Sequence, residues 1–280
     1  MKPGGALRRV AWHVGALLLL AVVLYPIVWV AAATFKPSGD IVGSLRLLPT
    51  EPTTANYERV FGGVFGIGLG RFFWNSAVLA VLSVVGTVVS SAPTAYAFAR
   101  LRFRGRSTLF AVMIATLLLP FHVLVVPQYV VFQNLDLIDT YVPLLAGRFL
   151  ATEAFFVFLV VQFIRQLPRE LDESAKLDGA NHWGVFWHVV LPLCRPALIT
   201  TAIFTFIWSW NDFFGPLIYL STPEKYPLPL ALQLFIDEAA GSDFGALMAM
   251  SVLALVPVVL FFLFFQRFLV EGVSTSGLKG

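Results

Sequence analysis

PRELDESAKLDGANHWGVFWHVVLPLCRP, residues 168–196, is a charged and polar island between two long apolar segments. Pro168 suits the first turn of a helix, and Glu170, Asp172 and Glu173 crowd that turn, where the helix dipole favours negative charge. Asp172 and Lys176 stand four apart, in the order that supports a helix. Asp178-Gly179 stops it, because glycine accepts backbone angles that a side chain resists. Asn181 is placed to cap a second short helix, whose Trp183, Phe186, Trp187 and Val190 fall on one face. Pro192 and Pro196 are expected to end that helix and open the next apolar segment. The stretch therefore reads as a helix, a glycine turn and an amphipathic helix lying across a membrane face. Its large rings are exposed there unless something covers them, and rest on lipid if nothing else does.

Composition agrees with a membrane setting. Of 280 residues, 58% are apolar and 12% charged, with a mean hydropathy of +0.83, against about 45–50% and about 25% for soluble domains. We read an all-α polytopic membrane protein forming one transmembrane domain over 1–280, with small loops. Six spans are expected at about 10–33, 72–99, 107–135, 141–164, 196–220 and 244–266. The first apolar run is too long for a signal peptide, and no small-residue cleavage site closes it. Pro120 and Pro127 are expected to kink the third span, and Pro257 lies in the sixth. Arg148 and Glu153 lie in the fourth span, and Asn211-Asp212 with Gly215-Pro216 interrupt the fifth near its outer end. Of the 19 Lys and Arg, 13 fall at the termini and in the 100–106 and 165–195 loops, while five fall in the loops between. That asymmetry places both termini and the 168–195 loop in the cytoplasm.

Other classes find little footing. Cys194 is the single cysteine, which excludes an intrachain disulfide and a cysteine metal site. His13, His122, His182 and His188 form no ligand set, so no metal site is expected. The glycine-rich run from Gly62 to Gly70 lacks the Lys and Ser/Thr of a phosphate loop. Ser90-Ser91 and Thr200-Thr201 read as helix-packing residues, and no nucleophile–base pair stands out. The net charge of +3 belongs to membrane orientation and argues for no nucleic acid. The two halves show no repeat, which weighs against an ion-coupled carrier acting alone.

The 173–192 segment, ESAKLDGANHWGVFWHVVLP, resembles the EAA loop of ABC importer permeases at Glu173, Ala175, Asp178, Gly179, Ala180, Phe186, Leu191 and Pro192, with Ser174 in place of an alanine. Residues 24–41, 75–106, 117–140, 210–232 and 266–280 are similar to carbohydrate-importer permeases. The likeness is to the shorter, six-span subunit of the maltose and glycerol-phosphate type. It implies a type I ABC importer (MetI-like) fold in the bacterial inner membrane, with the loop acting as cytoplasmic coupling helices. It also implies a second permease subunit, two ATP-binding subunits that hold ATP and Mg, and an extracytoplasmic solute-binding protein. This chain itself would bind no cofactor and catalyse nothing. On this resemblance the coupling residues are Glu173, Ala175, Asp178, Gly179, Ala180, Trp183, Phe186, Leu191 and Pro192. The 221–243 loop would reach toward the binding protein, and the 277–280 tail toward the ATPase pair.

Residues of a substrate path are less sharply marked. Glu153 lies 12 residues from Arg165, or ~18 Å above the inner end, where it is either a sugar contact or a partner for Arg148. Asn211 and Asp212 lie near the outer boundary and read more readily as a cap and bend than as substrate ligands. Trp74, Tyr141 and Trp210 fit an interfacial aromatic belt.

Overall fold

The computed structural model describes residues 4–43, 46–234 and 243–274. The expectations for the 277–280 tail and for the 235–242 part of the outer loop lie outside the described residues. The helices in chain order are α1 (Gly4–Ala33), α2 (Ala55–Gly62), α3 (Leu69–Arg100), α4 (Arg106–Thr116), α5 (Phe121–Asn134), α6 (Val142–Phe149) and α7 (Ala154–Gln166). They continue as α8 (Glu170–Leu177), α9 (His182–Val185), α10 (Leu191–Leu193), α11 (Arg195–Trp210), α12 (Phe214–Tyr219), α13 (Leu228–Ala231) and α14 (Phe244–Ser274).

Four helices are long and apolar enough to cross a membrane: Arg8–Ala33, Leu69–Arg100, Val142–Gln166 and Phe244–Gln266. A fifth candidate is the pair His182–Leu193 and Arg195–Trp210, bent by 71°. The third expected span is met as two shorter helices in series, α4 and α5. The cause is Pro120, which lacks an N–H and takes extended angles, φ −63° and ψ 131°, just before α5. Pro127, by contrast, sits inside α5. The fourth span also breaks, at 150–153, where Ala151 takes a positive φ of 57°.

One compact unit comprises residues up to Leu69 together with Ala231–Pro257. Its polar ties gather where α1 ends and α14 begins. Asn56 of α2 donates to the carbonyls of Thr34 and Lys36 at 2.8 and 2.7 Å. Asp243 accepts from Ser38 Oγ at 2.5 Å and pairs with Arg59. In the 18-residue apolar window of α1 nothing is buried, so that helix offers its surface to lipid or to another protein.

The second unit, Gly70–Leu230 and onward from Val258, is built round α3. Of the four long helices α3 is the most buried. Its C-terminal half presents Ala92, Ala95, Tyr96 and Ala99, spaced i, i+3, i+4, i+7, and α7 presents Val157, Val160, Val161 and Ile164 at the same spacing. Small residues on one helix admit branched ones from the other, which is how close packing is gained where lipid gives no hydrophobic drive. Val185, Phe186, Val190 and Cys194 complete this cluster, so the loop at 168–196 is part of the unit's core rather than an appendage.

Candidate functional site

Glu170, Asp172 and Glu173 occupy the first turn of α8, as their charge requires. Gly179 then takes φ +89°, and a Cβ placed there would meet nothing within 4 Å. The turn needs the backbone angle rather than the space. Asn181 Oδ1 accepts from the Gly184 N–H at 2.8 Å and caps the second helix.

That helix does not stop at Pro192. It runs through a widened turn at Phe186–Val190, in which the Leu191 N–H reaches back to the Phe186 carbonyl, and on through α10 to Leu193. Proline cannot donate and its ring crowds the carbonyl four residues back, and widening the preceding turn relieves both. The sharp bend comes at Cys194, before α11.

The expected aromatic face is divided. Trp183 and Trp187 are exposed at 62% and 56%. Phe186 is buried against Tyr96 of α3, ring centres 5.3 Å apart, and Val190 is buried with it. The sequence sets Phe186 on one face with Trp183, exposed unless something covers it; Phe186 is covered, packed in one cluster with the small Ala92, Ala95 and Ala99 of α3. Ala175, Ala180 and Leu191 pack on the same cluster, partly buried. Glu173 and Asp178 are exposed, and Pro192 is half-buried. Glu173 lines an open cavity of about 550 Å³ with Arg100, Arg169, Asp172 and Lys176. The loop thus has an anchored underside and an outward face carrying two indoles and a carboxylate.

Two contacts had no local signal in the sequence. Arg100, at the end of α3, sets Nε 3.0 Å from Oδ2 of Asp172 and donates from Nη2 to the Leu167 carbonyl at 2.8 Å. On the other side of the chain Asp139, at φ +58°, gathers the 221–225 segment. Its carboxylate accepts from the N–H groups of Ser221 and Thr222 at 2.9 and 3.0 Å, from Thr222 Oγ1 at 2.5 Å and from Lys225 Nζ at 2.7 Å. Asn75 of α3 holds the next residues by donating to the carbonyls of Glu224 and Tyr226 at 2.8 and 2.9 Å. A pattern search could not pair Asp139 with Lys225, 86 residues away.

The path candidates fall into different roles. Glu153 Oε1 stands 2.9 Å from Arg148 Nη1 across the break between α6 and α7. Asn211 donates to the Ile207 carbonyl at 2.8 Å and finishes α11, while Asp212 accepts from the Gly215 N–H at 3.1 Å and starts α12. A Cβ on Gly215 would come within 2.7 Å of Asp212 Oδ2 and 3.1 Å of Leu144 in α6, so glycine is what lets α12 approach α6. Trp74 is exposed, and the Tyr141 hydroxyl donates to the Lys225 carbonyl at 3.0 Å. Trp210 departs from the aromatic-belt reading: it is buried, with its ring stacked on Phe206. Among the described residues no three His, Cys, Asp or Glu side chains gather in a way that could hold a metal ion.

The family model described as binding-protein-dependent transport system inner membrane component matches residues 62–275. The chain is 31% identical over 272 residues to the arabinooligosaccharides transport system permease protein AraQ of Halalkalibacterium halodurans, covering 95% of each. It is 33% identical over 270 residues to the diacetylchitobiose uptake system permease protein NgcG of Streptomyces coelicolor, covering 95% of this chain and 88% of that one. Among solved structures it is similar to a bacterial ABC transporter involved in the import of the acidic polysaccharide alginate. There the TM-score is 0.82 at 23% identity, over 95% of this chain and 98% of the other, a likeness of fold.

Proposed function

The chain belongs to the family of binding-protein-dependent transport system inner membrane components, and from that premise we propose that it is the permease subunit of an ATP-driven importer of a carbohydrate. Its fold is the all-helical, MetI-like fold of ABC importer permeases. Relatives named for arabinooligosaccharides and diacetylchitobiose, and a structural neighbour named for alginate, support a sugar or oligosaccharide as cargo. The observation that carries the coupling role is the two-sided 168–195 loop, with its underside buried on α3 and α7 and its indoles outward.

The partners in this reading are a second permease subunit, two ATP-binding subunits that hold ATP and Mg²⁺, and an extracytoplasmic binding protein. The chain crosses the inner membrane six times as one permease domain, with both termini in the cytoplasm. It binds no cofactor and performs no covalent chemistry. When the ATPase subunits close on ATP, each carries a coupling loop with it. Glu173, Asp178, Trp183 and the Gly179 turn supply the docking face, while Ala175, Ala180, Phe186, Leu191 and Pro192 hold that face to the spans. Because the core is close-packed, the movement passes on as rotation of packed bodies, not local bending. The permease turns outward-facing and receives sugar from the binding protein. Glu153, paired with Arg148 at a break in a span, is the first candidate for the path, with Asn211 and Asp212 shaping its outer end. Glu153→Gln should slow uptake while leaving assembly and ATP hydrolysis intact; unchanged uptake would make Glu153 structural.

The deciding experiment reconstitutes the chain with its partner subunits and binding protein. It follows uptake of labelled arabino-, chito- and alginate oligosaccharides with and without ATP. ATP-dependent uptake of at least one is expected. Import of a non-carbohydrate solute alone would move the chain to another importer class, and ATP-independent uptake by the chain by itself would replace the importer reading with a carrier.

A further inference from the structure

Arg100 is the last residue of α3, and Asp172 lies in the first turn of α8. Each charge sits where its own helix dipole favours it, the cation at a C-terminus and the anion at an N-terminus. Both side chains are withdrawn from water, at 5% and 10% exposure. The Nε–H is not aimed at an acceptor, so the 3.0 Å approach to Asp172 is an ion pair. The directed bond runs from Nη2 to the carbonyl of Leu167, the residue that closes α7. One guanidinium therefore joins the end of α3, the exit of α7 and the entry of the coupling helix. Among the described residues no other ion pair links α8 to a span.

We propose that Arg100 and Asp172 are positioning residues of the importer, forming the pivot through which movement of the coupling helix reaches α3 and α7. This rests on the permease reading above. Apolar contacts such as Tyr96 on Phe186 fix a distance but little direction, and they permit sliding. An ion pair this little exposed, although it edges the open cavity, resists separation, because opening it leaves two poorly hydrated charges. The first turn of α8 therefore stays with the ends of α3 and α7, and the packed loop and spans turn together about that point.

A stabilising pair and a pivot can be told apart. Removing one partner leaves an uncompensated buried charge and damages the protein in either case, whereas replacing both with apolar residues of similar shape does not. The informative variant is therefore Arg100→Met with Asp172→Leu, studied in the reconstituted complex beside the wild type and Arg100→Lys. Oligosaccharide uptake from the labelled pool, ATP hydrolysis and retention of the ATPase subunits are measured on one preparation. For a pivot, the double variant assembles and hydrolyses ATP, yet uptake per ATP falls about tenfold, within the ordinary range of coupling between sites. Arg100→Lys, which keeps the charge opposite Asp172, retains more coupling than the double variant. Wild-type uptake per ATP in the double variant would overturn the proposal, as would its failure to assemble, which would make the pair a matter of stability. Absence of ATP-dependent uptake in the wild-type complex would instead strike the permease reading itself.

Discussion

Asp139 and Asp172 each hold a loop, and they do so in opposite ways. Asp139 takes two backbone N–H groups, a hydroxyl and an ammonium, and its own N–H reaches the Tyr219 carbonyl at 2.8 Å. Asp172 has one ion pair, to Arg100, beside an open cavity that Arg169 and Lys176 also line. Losing one bond at Asp139 leaves several others, and such a site keeps a segment in one shape. Losing Arg100 removes the one ion pair that, among the described residues, ties α8 to a span, and such a site suits two bodies that must move together. On the permease reading proposed above, the outer loop is the one held still and the inner loop the one placed to transmit.

The comparison breaks outright if the two loops are not on opposite sides of the membrane. With Cys194 replaced, Ser107→Cys should react with an impermeant maleimide only from the cytoplasm, and Ser221→Cys only from outside. Both serines are exposed, so access is decided by the membrane alone. Labelling of both from one side would end the six-span course and the inner–outer contrast together.

Next in size is Gly179→Val. At φ +89° a branched side chain costs about 1–3 kcal/mol of local strain. With open space around that position, the strain should tilt the second helix without disturbing the packed spans. Membrane insertion should persist while uptake falls about tenfold or more, as one misfit of that size allows. The ATPase subunits should be lost more readily, or stop responding to the loaded binding protein. Full uptake with full stimulation would mean that the loop is not the lever.

Asp139→Ala should do less. Hydrogen bonds to a charged group are worth about 1.5–3 kcal/mol each, but Asn75 still holds Glu224 and Tyr226 from the other side. Uptake should fall by about two- to tenfold, with ATP hydrolysis per sugar nearly unchanged. A large rise in ATP spent per sugar would place the outer clamp in the transmission path and erase the contrast with Asp172.

These sites differ in how far the sequence reveals them. Gly179, Asn181 and the acidic first turn of α8 were legible because their reasons are local: a positive φ, a cap, a dipole. Phe186 was not, since whether its ring faces in or out depends on small residues some 90 positions earlier, on α3. The run through Pro192 was missed because the widened turn at 186–190 that accommodates a proline inside a helix has no marker of its own in the sequence. Spans were legible as apolar lengths and the interruption at Pro120 as a kink, but the break at 150–153 was not, since no proline marks it. Arg100 read as one of several loop cations, and nothing local marks it as the one that turns inward.

The smallest effect expected is that of mild acid on the outer clamp, and its near absence is the informative outcome. Burial alone would push the Asp139 carboxyl up. The Lys225 ammonium, the Thr222 hydroxyl and the N–H groups of Ser221 and Thr222 outweigh it and hold the group well below the usual carboxylate range. A group depressed in the folded state adds stability that is present above its unfolded pKa, about 3.9 for aspartate. That contribution is lost only as pH falls toward the folded value. Between pH 7 and pH 5 the carboxylate is therefore charged in both states, and the clamp should neither gain nor lose strength. Amide hydrogen exchange at Ser221 and Thr222, corrected for intrinsic rates, should show constant protection across that interval and weaken only below about pH 4. In Asp139→Asn, protection should be lower at every pH and should not fall further in acid. Loosening of these two amides between pH 7 and pH 5 in the wild type would show that the donors around Asp139 do not hold it as a charged hub. The outer loop would then be held chiefly by Asn75 and Tyr141.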